Sequence, residues 1–198
     1  MLADVHPQLL ASGVATFAGI RAFLYRVLGH SDRLRQHVHM GTLGRVAAVT
    51  ALIDLACSPE VPDRADAGRC LASFTDVPEA RRALLGLVLD AHDTFVTLET
   101  TVGLLRRQDA AGLEVVAEAL ASADGQQLDW IFSAVNEALG IYSVDVDAAI
   151  SSCALLADHP SELVRIGAEE LTDMLSKVVP VLRPAGDGVD GLVREEQA

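Results

Sequence analysis

The sequence predicts an all-α fold assembled as an α-solenoid of stacked antiparallel helix pairs. Three observations predict it. The 198 residues are 51% hydrophobic but only 4% aromatic, and Ala, Leu and Val supply most of the apolar side chains. Such a composition suits helices pressed close together better than a sheet, which favours aromatic and β-branched residues. Apolar residues recur at helical spacing over most of the chain. Finally, one paragraph of sequence repeats: a helix, a tight polar turn and a second helix. Leu71, Leu104, Leu139 and Leu171 hold the same place in successive first helices, 33, 35 and 32 residues apart. A two-helix period in the thirties is the mark of an α-solenoid; a generic helical bundle is the alternative.

Taken in order, Pro7 opens the first helical pattern, since a proline in the first turn loses only an N–H that would be unpaired anyway. The pattern runs to Leu28 and stops at Gly29, with Leu10, Val14, Phe17, Leu24 and Leu28 on one stripe. Ser31 or Asp32 caps a short helix through Val38, and Gly41-Thr42 breaks it before a helix from Leu43 to Cys57. That helix is apolar nearly throughout, so deep burial is expected. Residues 1–58 are therefore N-terminal capping helices. The prolines of Ser58-Pro59-Glu60-Val61-Pro62 end the last of them.

Residues 59–183 hold about four helix pairs. DRADAGRCLASF is followed by TDVP and EARRALLGLVL; DTFVTLETTVGLLRR by QD and AAGLEVVAEALAS; QQLDWIFSAVNEALG by IYSVD and VDAAISSCALLAD. PSELVRIGAEELTDMLSKVV begins the fourth, closed by Pro180 and Pro184. Before each register leucine stands a pair: Ala67-Gly68, Thr100-Thr101, Val135-Asn136 and Gly167-Ala168. Three of the four are small or hydroxylic, as close backbone approach between stacked helices requires. The glycine-rich, acidic residues 184–198 form a poorly ordered tail in which Leu192 and Val193 offer a weak docking point.

At Val96–Leu105 with Asp109 and the Leu113, Val116, Leu120 stripe, and again at Leu163-Val164-Arg165 with Gly167-Ala168 and Leu171, the chain resembles the HEAT-repeat family, in its short bacterial form. The resemblance covers residues 59–179 and implies a right-handed α-α superhelix acting as a binding scaffold. Members carry an Arg and an Asp ladder along the stack. Here Arg165 and Arg64 fill the Arg place, while Thr97 and Asp129 do not, so the ladder is expected to break in the middle. Deoxyhypusine hydroxylases of this type use His-Glu dipeptides, and none occurs here. The HEAT-like alkylpurine DNA glycosylases need a basic groove, and no residue argues for the tetrapyrrole of the bilin lyases.

Charge bears on that last point. The net charge is −13 and is not spread evenly. Residues 1–107 are near neutral, whereas residues 108–198 hold four basic residues against seventeen acids. A field of that sign repels nucleic acid and anionic membranes and attracts basic partners. Neither a nucleic-acid nor a membrane partner is expected. The uncharged run Leu9–Ile20 is too short to span a bilayer and follows no basic leader. Cys57, Cys70 and Cys153 lie within apolar helical patterns, far from metal or redox spacing, and are expected to be buried reduced thiols in a cytoplasmic protein.

No catalytic signature is present: no phosphate-binding glycine loop, no nucleophile elbow, no triad spacing. His30, His37 and His39 cluster, but His37 and His39 point to different helix faces, so neither a metal nor another cofactor is expected. Two surfaces stand out as partner-binding candidates. Trp130 lies about 200° around its helix from Leu128, away from the stripe of Leu128, Ile131, Phe132, Val135 and Leu139. It either packs against a neighbouring repeat or the Tyr142 loop, or serves as an exposed aromatic anchor. Glu114 and Glu118, Asp145 and Asp147, and Glu169, Glu170 and Asp173 recur on later helices. In a solenoid such repeated acids can add into one stripe. The function expected is a non-catalytic scaffold or adaptor binding a basic protein partner through the acidic half. The alternatives are a neutralising, immunity-like protein for a basic toxin or nuclease, and a small-ligand binder or degenerate enzyme with a pocket near Trp130 and Tyr142.

Overall fold

A computed structural model describes residues 42–183. Among them the chain is all-α, with eight α-helices, no strand, and one isolated parallel bridge between Tyr142 and Leu182. The chain divides into two units, Met1–Ala51 and Leu52–Ala198. Helix α1 (Thr42–Ala56) runs across that division, and all later described elements belong to the second unit. The expected helices before Gly41, the three clustered histidines and the 184–198 tail lie outside the described residues. No described helix is long and apolar enough to cross a membrane.

Local chemistry sets the helix starts. Pro62 stands in the first turn of α2 (Val61–Leu71), so it belongs to the helix and not to the loop expected to hold it. The end of α2 tightens into a 3-10 turn, Ala72–Phe74, and Pro78 opens α3 (Pro78–Val88) as Pro62 opens α2. Asp93 caps α4 (Thr94–Leu105) by accepting the Phe95 N–H at 2.8 Å, and Asp109 caps α5 (Ala110–Leu120) by accepting the Gly112 N–H at 2.8 Å. Between them Gln108 takes a left-handed backbone, φ 53°. Asp124 and Gln127 make a reciprocal capping box on α6 (Gly125–Leu139). Helix α7 (Ser143–Leu155) starts three residues before the expected Val146, which places Asp145 in its first turn. Helix α8 (Glu162–Ser176) is the last.

The four register leucines are all buried. Each such side chain contributes about 1.5–3 kcal/mol on removal from water. First helices stack on one another through three copies, α2 on α4 and α4 on α6. The small-residue pairs are where they touch: the Thr100 side chain lies directly against Gly68, and a Cβ on Gly103 would stand 3.1 Å from the Arg69 Cα. At the fourth copy the pattern changes. Helix α8 packs chiefly on α5, with only slight contact to α6. Where the other first helices carry small or hydroxylic residues α6 has Val135 and Asn136, while α5 presents Ala117, whose carbonyl lies against Gly167.

The loops are tied along one edge. Arg64 donates from Nη1 to the carbonyls of Ser58 and Pro59, both at 3.1 Å, and from Nε to Asp90 at 2.9 Å. Asp90 in turn accepts the N–H groups of His92 and Asp93. One copy further on, Gln127 donates from Nε2 to the Leu89 carbonyl at 3.0 Å. Arg165 repeats the first part of this arrangement, donating from Nη1 to the carbonyls of His159 and Pro160 at 2.7 and 3.3 Å. Arg64 and Arg165 thus do the same local work. Thr97, in the equivalent place on α4, is fully buried and its hydroxyl has no hydrogen-bond partner among the described residues.

Candidate functional site

Charge on the second unit is first spent internally. On the second-helix side, Arg81 of α3 reaches across to α5, with Nη1 2.9 Å from Glu114 and Nε 3.2 Å from Glu118. His159, in the turn before α8, brings Nε2 to 3.4 Å from the same Glu114 oxygen. Its Nδ1 accepts the Ser161 N–H at 3.1 Å, which leaves the ring proton on Nε2, aimed at Glu114. On the first-helix side, Arg69 of α2 bridges Asp66 and Glu99, and Arg106 of α4 donates to Glu137 of α6 at 3.0 Å. Arg82 faces Glu79, Arg107 pairs with Asp109, and Lys177 with Asp173. Every arginine and lysine from Arg64 to Lys177 is therefore held by a carboxylate or carbonyl of its own chain.

That ledger sorts the sequence-predicted acids. Glu114, Glu118 and Asp173 are engaged within the unit. Asp147, Glu169 and Glu170 are exposed and Asp145 is half-buried, and none has an ion pair among the described residues. Asp129, Asp158 and Glu162 join them as exposed acids with no ion pair among the described residues, as do Asp54, Glu60 and Asp124. Of the exposed acids without an ion pair among the described residues, Asp147, Asp158, Glu162, Glu169 and Glu170 lie on α7, α8 and the turn between them. Sequence spacing cannot tell a carboxylate facing an arginine some thirty residues away from one facing water.

Trp130 is 36% exposed, and Ile131, Ala134, Val135 and Leu139 are the buried side of its helix. Leu128 and Phe132, expected in the core stripe, are only half-buried. Phe95 occupies the place of Trp130 one copy earlier, 35 positions back, and is 44% exposed. The register leucines Leu104 and Leu139 share that spacing, so the pair was readable from sequence. Tyr142 is 49% exposed and belongs to a larger apolar surface. The Val181 N–H donates to the Gly140 carbonyl at 3.0 Å, the Leu182 N–H to Ile141 at 2.8 Å, and the Ser143 N–H to Leu182 at 3.0 Å. These bonds set Ile141 and Tyr142 beside Val181 and Leu182, with Val144 in the adjoining first turn of α7, and all five side chains are exposed.

Two cavities are formed by described residues. A groove of about 1010 Å³ is lined by Ile53, Cys57, Val61, Arg64, Arg82 and Leu87 among others, and a polar cleft of about 270 Å³ by Asp90, His92, Asp93 and Asp124. Neither Trp130 nor Tyr142 lines either of them. Arg64, Asp93 and Asp124 are already committed to pairing and capping. Among the described residues no three His, Cys, Asp or Glu side chains converge as a metal would need.

The thiols divide by burial. Cys153 is buried, and desolvation pushes it up to about 11 against a lowering hydrogen bond with Thr172; Cys70, half-buried, is raised by the same cause. Cys57 is exposed, contrary to the expectation of a buried thiol, because α1 ends at Ala56 and its buried side is set by Leu52 and Leu55. The same one-sidedness corrects the deep burial expected for the whole helix: Asp54 is exposed. No family model, curated protein or solved structure matches the chain.

Proposed function

We propose that the second unit is a non-catalytic binding scaffold of HEAT-like type, a short α-α superhelix through α6 that α8 closes by crossing to α5. It presents a negatively charged α7–α8 face to a basic protein partner. The stacking of α2 on α4 on α6 supports the superhelical part. One observation carries the binding part: with each arginine and lysine from Arg64 to Lys177 already engaged, Asp147, Asp158, Glu162, Glu169 and Glu170 remain exposed without an ion pair among the described residues. Uncompensated like charges on neighbouring elements steer an oppositely charged partner and fix its orientation, contributing more to association rate than to equilibrium affinity.

The test is affinity capture with the full chain as bait, followed by a salt titration of each partner recovered. The partners are expected to be basic, and their association to slow steeply as ionic strength rises past about 0.15 M, where the screening length falls to about 8 Å. Partners that are uniformly acidic, or binding indifferent to salt, would contradict the proposal.

A further inference from the structure

The apolar surface around the Tyr142–Leu182 bridge has no role in the core. Its backbone is fixed by three hydrogen bonds, while Ile141, Tyr142, Val144, Val181 and Leu182 face outward. Five large apolar side chains left exposed around one main-chain bridge are uncommon on a surface that has no partner. Asp145 and Asp147 follow Tyr142 in the first two turns of α7, and Lys177 and Arg183 flank Val181-Leu182 in the sequence. Most of the chain's surplus negative charge lies in the same half of the sequence.

We infer that this surface is the apolar anchor of the proposed scaffold and takes a segment of a partner protein in which apolar side chains are flanked by lysine or arginine. The inference rests on the scaffold reading and locates its contact. Charge complementarity selects the occupant. A second copy would bring another chain of net charge −13 against the same face, and an anionic lipid surface would be repelled by the same field. A basic segment is drawn in by Asp145, Asp147 and the α8 acids, and its apolar residues then cover Ile141, Tyr142 and Leu182. The central apolar contacts set the dissociation rate and the surrounding charge the association rate.

The experiment titrates the full chain into a dye-labelled synthetic peptide of leucines flanked by lysines and follows fluorescence anisotropy. The same peptide with glutamates in place of the lysines is the control. The lysine peptide is expected to bind and the glutamate peptide not to. Ile141→Ser with Leu182→Ser should weaken binding about tenfold, as should Val144→Ser with Val181→Ser, because both pairs remove exposed anchors. All four side chains are exposed and the bridge is made by main-chain groups, so unchanged circular dichroism is expected of each variant.

Binding that salt abolishes and neither apolar pair affects would overturn the inference while leaving the acidic-face reading in place. Equal binding of both peptides, or of neither, would overturn both. Concentration-dependent self-association that is lost in the Ile141→Ser and Leu182→Ser variant would show the patch to be a contact between copies, which also overturns it.

Discussion

The backbone of Gly167 in α8 lies against the carbonyl oxygen of Ala117 in α5, so closely that a methyl group on Gly167 would overlap it. This contact takes the fourth first helix out of the stack that the earlier three form. It also brings α8, with its exposed acids, onto the second helix of the middle pair.

Replacing Gly167 with Ala should therefore destabilise the protein by about 1–3 kcal/mol through overpacking at a backbone contact. Gly86, in α3, has open space where its Cβ would stand, so Gly86→Ala should stabilise by about 0.5–1 kcal/mol through helix propensity alone. Denaturant midpoints of the two variants check this. Similar shifts in both would mean that α8 does not approach α5 so closely.

Helix α4 buries three threonine hydroxyls, those of Thr97, Thr100 and Thr101, without a hydrogen-bond partner among the described residues. An unsatisfied buried hydroxyl costs about 1–3 kcal/mol. Thr97→Val and Thr101→Val keep the side-chain shape and remove that cost, so each should raise stability by about 1 kcal/mol. Thr100 differs from them because its side chain rests on Gly68. A loss of stability in either valine variant would show that the hydroxyl is satisfied.

Burial works against the charged form of Asp90. The Arg64 guanidinium and the N–H groups of His92 and Asp93 outweigh it and hold the carboxyl below its ordinary value. A carboxylate depressed in the folded state adds stability above its unfolded value, about 3.9, and that stability is lost as pH falls through the lower folded value. Acid unfolding of the wild type should include this loss below about pH 4. Asp90→Asn should be less stable at neutral pH and show a flatter acid limb. An acid limb unchanged by the substitution would contradict the pairing.

The repeat register was legible because it is a matter of local periodicity: the four leucines sit on the first helices as expected and are all buried. The destination of α8 was not. Gly167-Ala168 looks in sequence like Ala67-Gly68, and only the partner surface, Ala117 instead of Val135-Asn136, decides where such a pair packs. For the same reason Glu114 and Glu118 looked like a free acidic pair. Arg81, which occupies them, stands 33 and 37 positions earlier, beyond any helical pattern. Trp130 is off the core stripe of its helix, as its angle from Leu128 predicts, and is 36% exposed. Val181 and Leu182 were missed, because a short apolar run after the last helix carries no period to assign it.

The most direct test of the account compares two sets of neutralised acids in one measurement, the association rate with a basic partner at low salt. Asp147→Asn, Glu162→Gln, Glu169→Gln and Glu170→Gln remove exposed, unpaired charge. Glu114→Gln and Glu118→Gln remove charge already matched by Arg81. At least about a tenfold slower association is expected for the first set and a clearly smaller slowing for the second. Equal slowing by both sets, or by the second alone, would contradict it.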